Sequence, residues 1–195
     1  MPVIKGLEGT FDMVASTYEK KNKVLIGFMG SGKTTVGEVL AQKLQLKVED
    51  TDKLIEAQEG RSISDIFAKE GEGYFRDLET GLLQEISAES KVCILSVGGG
   101  TPVRPENRTL LKQCGMVIYL RVRPETVYDR VKHDTQRPLL QCDDPLGKIR
   151  ELMASREDAY SECADIIIDV DEMSVEMVVE EILTRLQRRG IDDMV

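Results

Sequence analysis

A short glycine-rich stretch is the part of this sequence whose residue types and spacing most directly indicate chemistry. Residues 27–35 are GFMGSGKTT and fit the pattern G-x-x-x-x-G-K-[ST]. Glycines let successive backbone N–H groups turn toward one anion, and a following helix adds the positive end of its dipole. Lys33 would reach the terminal phosphates, and the Thr34 hydroxyl would bind Mg²⁺. The stretch predicts a nucleotide-phosphate site formed by Gly30, Ser31, Gly32, Lys33, Thr34 and Thr35.

Two aspartates could serve the same chemistry. Asp50 and Asp52 follow the apolar stretch LKVED, whereas the strand candidate VCILSV ends without a carboxylate. Parallel strands end at the same edge of a sheet, so both aspartates could reach the phosphate loop. One carboxylate would then serve a hydrated metal ion and the other a hydroxyl nucleophile. The alternative is a helix N-cap followed by a first-turn acid, which is a purely structural use.

These residues need a framework of strands and helices to bring them together. Apolar runs predict five strands, at 24–28, 46–50, 92–97, 116–120 and 164–170. Helices are predicted at about 33–45, from near Thr51, and at about 72–89, 105–112, 123–131, 145–160 and 174–188. A further turn is predicted over 62–70, where Ser62 and Asp65 resemble a capping box. This alternation predicts an α/β fold, a three-layer α/β/α sandwich with a five-stranded parallel sheet.

The composition restricts the partners and the location of the protein. The chain has 195 residues, 41% of them hydrophobic, which is enough for one domain with a substantial core. Its formal charge of −9 argues against nucleic acid as a partner. No run approaches the roughly 18 apolar residues of a membrane span. The absence of a signal-peptide pattern and of C-x-x-C pairs favours a cytoplasmic protein with reduced thiols. We expect an N-terminal extension over 1–21, flexible or a short helix, and a single monomeric domain over 22–195.

Taken together, the motifs resemble those of the shikimate kinase family. The resemblance extends from about residue 24 to the last helix and rests on six motifs in order. They are GFMGSGKTT (27–35), D-x-D (50–52), FRDLE (75–79), GGGTP (98–102), RPLL (137–140) and R-x-x-x-Y (156–160). The resemblance implies a P-loop kinase with a mobile lid over about 133–144. It also implies ATP and shikimate as substrates and Mg²⁺ as cofactor.

The resemblance further implies a role for each motif residue. Asp52 would bind the hydroxyl that receives the phosphoryl group and act as its base, and Asp50 would contact Mg²⁺ through water. Arg137 would reach the transferred phosphate from the lid, so that Lys33, Asp52 and Arg137 form the catalytic set. Arg130 would lie near adenine. The substrate carboxylate would be bound by a cluster of Arg76, Arg156, the orienting Glu79, and the closely approaching backbone of Gly98, Gly99 and Gly100.

Alternatives remain open at the level of residues and of function. Without the resemblance, Arg156 would be interpreted as a surface arginine, and Glu79 as the partner of an arginine on its own helix. The implied activity is phosphorylation of the 3-hydroxyl of shikimate, on the way to chorismate and the aromatic amino acids. The alternatives are another small-metabolite kinase, for gluconate or a nucleoside monophosphate, and an inactive nucleotide-binding module.

Overall fold

The framework is a five-stranded parallel sheet, seen in a computed structural model that describes residues 21–132 and 142–192. The strand order is β2-β3-β1-β4-β5, and every neighbouring pair is parallel. All carboxyl ends of the strands therefore lie at one edge of the sheet. The strands are Asn22–Ile26 (β1), Lys47–Asp50 (β2), Cys93–Ser96 (β3), Gly115–Arg121 (β4) and Ile166–Asp169 (β5).

Helices cover both faces of the sheet and complete the predicted three-layer α/β/α architecture. Helix α1 packs against α7, while α3, α4 and α6 pack against one another in series. A short 3₁₀ turn over Thr101–Val103 follows β3. The helices are Lys33–Leu44 (α1), Thr51–Glu59 (α2), Ile63–Ala88 (α3), Pro105–Cys114 (α4), Pro124–Val131 (α5), Pro145–Cys163 (α6) and Val175–Asp192 (α7).

The core lies around the three central strands. β1, β3 and β4 are buried along almost their whole length, as their continuous apolar sequences predict for a parallel sheet covered on both faces. β1 differs from its prediction at both ends, because it begins at Asn22 and ends at Ile26. The buried Asn22 side chain accepts from Cys93 N at 2.8 Å and donates to Cys114 O at 2.9 Å. These two bonds allow a polar residue to begin a buried strand.

The turn predicted over 62–70 is a helical segment, and the helix predicted from about 72 follows it as a separate segment. These residues form the first part of α3, which Ser62 caps by accepting from Asp65 N at 3.1 Å. Gly71 interrupts the helix with φ 83° and ψ 176° before it continues to Ala88. A positive φ is inexpensive only for glycine, so Gly71 separates two helical segments, as the sequence predicts.

Two predicted segments cannot be compared with the structure. The N-terminal extension over residues 1–20 and the lid residues 133–141, which include Arg137, lie outside the described residues. The end of the predicted lid is described, and there Asp144 caps α6 by accepting from Gly147 N at 2.9 Å. Within residues 21–132 and 142–192, none of the helices combines the length and apolar composition needed to cross a lipid bilayer.

Candidate active site

The glycine-rich loop joins β1 to α1 at the carboxyl edge of the sheet. Gly32, the residue before α1, has φ 94°, which a residue with a side chain would adopt only under strain. Lys33 begins the helix, and its Nζ folds back to donate to Gly27 O at 2.8 Å and Phe28 O at 3.0 Å. The ammonium group is therefore held against the loop that the motif predicts to bind phosphate.

A cleft of about 470 Å³ opens beside this loop and brings four of the sequence motifs together. The loop contributes one wall, and the corner between β2 and α2 contributes the D-x-D pair. The segment after β3 and the middle of α6 complete the lining. The lining residues are Met29, Gly30, Gly32, Lys33, Thr34, Thr35, Asp50, Asp52, Ser96, Val97, Gly98, Gly99, Gly100 and Arg156.

Asp50 has the structural role that the sequence left as an alternative. Its Oδ1 caps α2 by accepting from Asp52 N at 3.0 Å and from Lys53 N at 3.3 Å. The same residue lines the cleft. Capping fixes the carboxylate at the start of the helix and leaves it within reach of a ligand in the cleft.

Asp52 is a half-buried residue whose buried Oδ1 has unused hydrogen-bonding capacity. Among the described residues, its Oδ1 has no hydrogen-bond partner. Burial raises the pKa of Asp52 to about 6, and the nearby carboxylates of Asp50 and Glu79 act in the same direction, while Lys33 opposes them. A carboxylate with this pKa remains ionised at neutral pH and is a stronger proton acceptor than an exposed aspartate.

Glu79 is buried and joins two elements of the site. Its side chain has an exposed fraction of 1%; it accepts from Arg76 Nη1 at 2.7 Å and from the Thr101 hydroxyl. The pairing with an arginine of its own helix, predicted as an alternative, is thus present. The bond from Thr101 adds a second donor from outside α3. Glu79 therefore fixes the orientation of the Arg76 guanidinium relative to the segment after β3.

Two of the three glycines after β3, Gly98 and Gly100, are packed closely against this acidic and basic cluster. A Cβ atom on Gly98 would lie 2.8 Å from Asp52 Oδ1 and 3.1 Å from Glu79 Oε1. A Cβ atom on Gly100 would lie 2.3 Å from Arg76 Nη2. Larger residues would displace these side chains, so the absence of a side chain here is a requirement of the site geometry.

Arg156 and Tyr160 reach the same glycine turn from α6. Gly99 O accepts from the Tyr160 hydroxyl at 2.5 Å and from Arg156 Nη1 at 3.4 Å. The centre of the Arg156 guanidinium also lies 5.6 Å from the centroid of the Phe28 ring, at a distance suited to a cation–π contact. Arg156 is a cleft residue rather than a solvated surface arginine. Arg76 and Arg156, from two different helices, contact the same turn.

Arg130 lies on α5 beside the phosphate loop. Its Nη1 donates to Gly30 O at 2.9 Å and its Nη2 to Val170 O at 3.4 Å.

Three residues that support the site had no role predicted from the sequence, namely Tyr160, Thr101 and Thr51. The Oγ1 of Thr51 accepts from Gly98 N at 3.1 Å. The sequence could have indicated these three residues, because each lies inside or directly beside one of the six motifs.

The phosphate loop between the first strand and first helix of a parallel sheet, beside a cleft with a half-buried aspartate, defines the class of P-loop kinases. A family model described as shikimate kinase matches residues 29–187. The shikimate kinase of Symbiobacterium thermophilum is 45% identical over 171 residues, 87% of this chain and 98% of that protein. That of a Sulfurihydrogenibium species is 46% identical over 169 residues, 87% of this chain and 99% of that protein. The solved structure of shikimate kinase from Acinetobacter baumannii in complex with shikimate is 36% identical, with a TM-score of 0.81, and covers 90% of this chain and 98% of that one. The chain belongs to the shikimate kinase family.

Proposed function

We propose that this protein transfers the γ-phosphoryl group of ATP to the 3-hydroxyl group of shikimate, giving shikimate 3-phosphate and ADP on the way to chorismate and the aromatic amino acids. The observation that carries the proposal is the convergence of three groups on one cleft. These are the phosphate loop, the half-buried Asp52, and the glycine turn contacted by Arg76 and Arg156. Membership of the family supports the choice of substrate.

The phosphate loop provides the nucleotide end of the site. Lys33 would exchange its two carbonyl contacts for phosphate oxygens, to which its charge is better matched. Arg130, which already contacts Gly30 O, is proposed to lie near adenine. Arg137 is proposed to meet the transferred phosphate, and it lies outside the described residues.

Mg²⁺ is the proposed cofactor, and the residues present fit it. Thr34 and Asp50 would hold the ion, Asp50 through water, and both line the cleft. Within residues 21–132 and 142–192, no group of three or more His, Cys, Asp or Glu side chains could hold a metal alone. Mg²⁺ usually keeps several waters and binds one or two protein groups together with substrate phosphates, which agrees with such a site. When bound, it would supply positive charge to the phosphate oxygens.

Asp52 is proposed to act as the base. The substrate hydroxyl would donate to the Asp52 carboxylate, which lines the cleft. As the hydroxyl oxygen forms its bond to the γ-phosphorus, its proton passes to Asp52. The bond between the γ-phosphorus and the oxygen that bridges it to the β-phosphate breaks, which releases ADP. Phosphoryl transfer needs mainly positioning and charge stabilisation, so Asp52 would orient the nucleophile as well as accept its proton.

The acid end of the substrate would lie against the two arginines. Planar guanidinium groups match a carboxylate better than ammonium groups do, because each can donate two parallel hydrogen bonds. Glu79 holds Arg76 in place, and Tyr160 shares the Gly99 carbonyl with Arg156. A small hydroxy acid bound this way would have its carboxylate fixed at one end of the cleft and a hydroxyl near Asp52.

The test is ADP formation from ATP and Mg²⁺ with shikimate, gluconate, AMP or CMP added in turn. We expect ADP to form only when the added acceptor is shikimate. The Lys33→Met variant is the control, and it should be inactive with all four acceptors. Turnover with another acceptor would indicate a different small-metabolite kinase. Nucleotide binding without turnover on any acceptor would indicate an inactive module. The monomeric state and the cytoplasmic location stay predictions.

A further inference from the structure

Asn107 is a fully buried polar side chain outside the cleft. It lies in the first turn of α4, and its exposed fraction is 0%. Its Nδ2 donates to Thr101 O at 3.1 Å, and its Oδ1 lies 2.8 Å from the Thr80 hydroxyl, which can donate to it. A buried amide without partners would be destabilising, and this one has a partner for each of its two polar groups.

Both partners of Asn107 belong to the elements that form the acid-binding end of the cleft. Thr101 directly follows the three glycines, and its own hydroxyl donates to Glu79. Thr80 directly follows Glu79 on α3, and its Oγ1 also lies 2.9 Å from Arg76 O. Asn107 thus connects the glycine turn to the turn of α3 that carries Arg76 and Glu79.

We propose that Asn107 is a positioning residue for binding of the substrate carboxylate, an inference that rests on the proposed function. Arg76, which Glu79 orients, can hold a carboxylate only while α3 and the glycine turn keep their relative position. The Asn107 amide fixes that position from behind, without touching the ligand. Its loss would loosen the acid end of the cleft and leave the phosphate loop unchanged.

The position requires an amide rather than any polar group. One atom must donate to the Thr101 carbonyl, and another must accept from a hydroxyl. An aspartate has the same shape but no donor when ionised, and it would place a negative charge against the carbonyl oxygen. Thr101 and Asn107 are both buried, so water has little access to replace the missing donor.

The decisive variant is Asn107→Asp, compared with Asp77→Asn as a matched control. Asp77 lies on α3, where it pairs with Arg104 at 2.7 Å and has a side-chain exposed fraction of 73%. We expect Asn107→Asp to raise the KM for shikimate about tenfold, the effect of one buried donor lost, and to change the KM for ATP by less than about twofold. The control should leave both constants unchanged.

A purely structural role for Asn107 would give a different result. The melting temperature would fall while both KM values kept their ratio, and that outcome would overturn the proposal.

If Asn107→Asp does not fold, the variants Thr80→Val and Thr80→Ser test the same role, since only serine keeps the hydroxyl that faces Asn107. Valine should raise the KM for shikimate and serine should restore it, and equal constants for the two would refute the role. Wild-type enzyme without shikimate-dependent turnover would refute the proposed function itself, whereas active wild type with unchanged variants would refute this inference alone.

Discussion

Gly100→Ala tests whether the position of Arg76 decides shikimate binding. Gly100 has φ −95° and ψ −16°, which alanine adopts without backbone strain. The new Cβ atom would nevertheless lie 2.3 Å from Nη2 and 2.4 Å from Nη1 of Arg76. Non-bonded atoms normally remain about 3.5 Å apart, so the guanidinium must move by about 1 Å.

That displacement should break the bond that orients Arg76. Arg76 Nη1 lies 2.7 Å from Glu79 Oε2, and a shift of this size removes the hydrogen bond or misaligns it. A hydrogen bond to a charged group contributes about 1.5–3 kcal/mol, equivalent to a factor of roughly 10 to 150 in binding. We therefore expect the KM for shikimate to rise about ten- to a hundredfold, with the KM for ATP changed by less than about twofold.

Steady-state kinetics with each substrate varied in turn would measure this difference. Gly81→Ala is the matched control, because it lies on α3 and an added Cβ would have no atom within 4 Å. The control should keep wild-type constants and gain about 0.5–1 kcal/mol of stability from the replaced helix glycine. An unchanged shikimate KM in Gly100→Ala would refute the reasoning, since Arg76 would then move without consequence. A parallel rise in both KM values would mean that the damage extends to the phosphate loop.

Three further predictions concern the base and the glycine turn. Asp52→Asn should lower kcat at least about 100-fold with little change in ATP binding, because the amide cannot accept the proton. Near-normal turnover of this variant would remove Asp52 from the mechanism. The pH profile of kcat/KM should fall as the pH drops through about 6, where Asp52 becomes protonated in the free protein. A profile without this inflection, or one that keeps it in the Asp52→Asn variant, would assign the titration to another group. Tyr160→Phe removes the hydroxyl that donates to Gly99 O at 2.5 Å, and one lost hydrogen bond should raise the shikimate KM about fivefold. Unchanged binding would show that the Tyr160 hydroxyl is not needed to hold the turn.

The fold could be predicted wherever apolar periodicity decides the structure. The runs that form β3 and β4 are continuous and buried, so their assignment needed no tertiary information. The start of β1 could not be predicted this way, because Asn22 is stabilised by groups 71 and 92 residues away in the sequence. The boundary at Gly71 was predictable, because glycine adopts a positive φ without strain and a helical segment lies on each side of it.

The site residues could be located from motifs, whereas their partners could not. Parallel strands bring the ends of β1, β2 and β3 to one edge, which explains why the phosphate loop, Asp52 and the glycine turn share a cleft. The bond from Tyr160 to Gly99 O spans 61 residues, and the amide of Asn107 reaches back 27 residues to Thr80. Such pairs depend on how helices pack, and one sequence carries no record of that packing.

The free Oδ1 of Asp52 has a consequence for inhibitor design. The protein has already excluded solvent from this oxygen, and among the described residues nothing donates to it. A compound whose hydroxyl or amine donor reaches the Asp52 carboxylate from the cleft binds an acceptor that folding has already partly desolvated, so the bond should contribute more affinity than one to an exposed carboxylate. A cationic donor would gain further from the negative charge at neutral pH, and its potency should decline in acid as the carboxyl becomes protonated below about 6. Compounds that extend only into the nucleotide half of the cleft would not have this source of affinity.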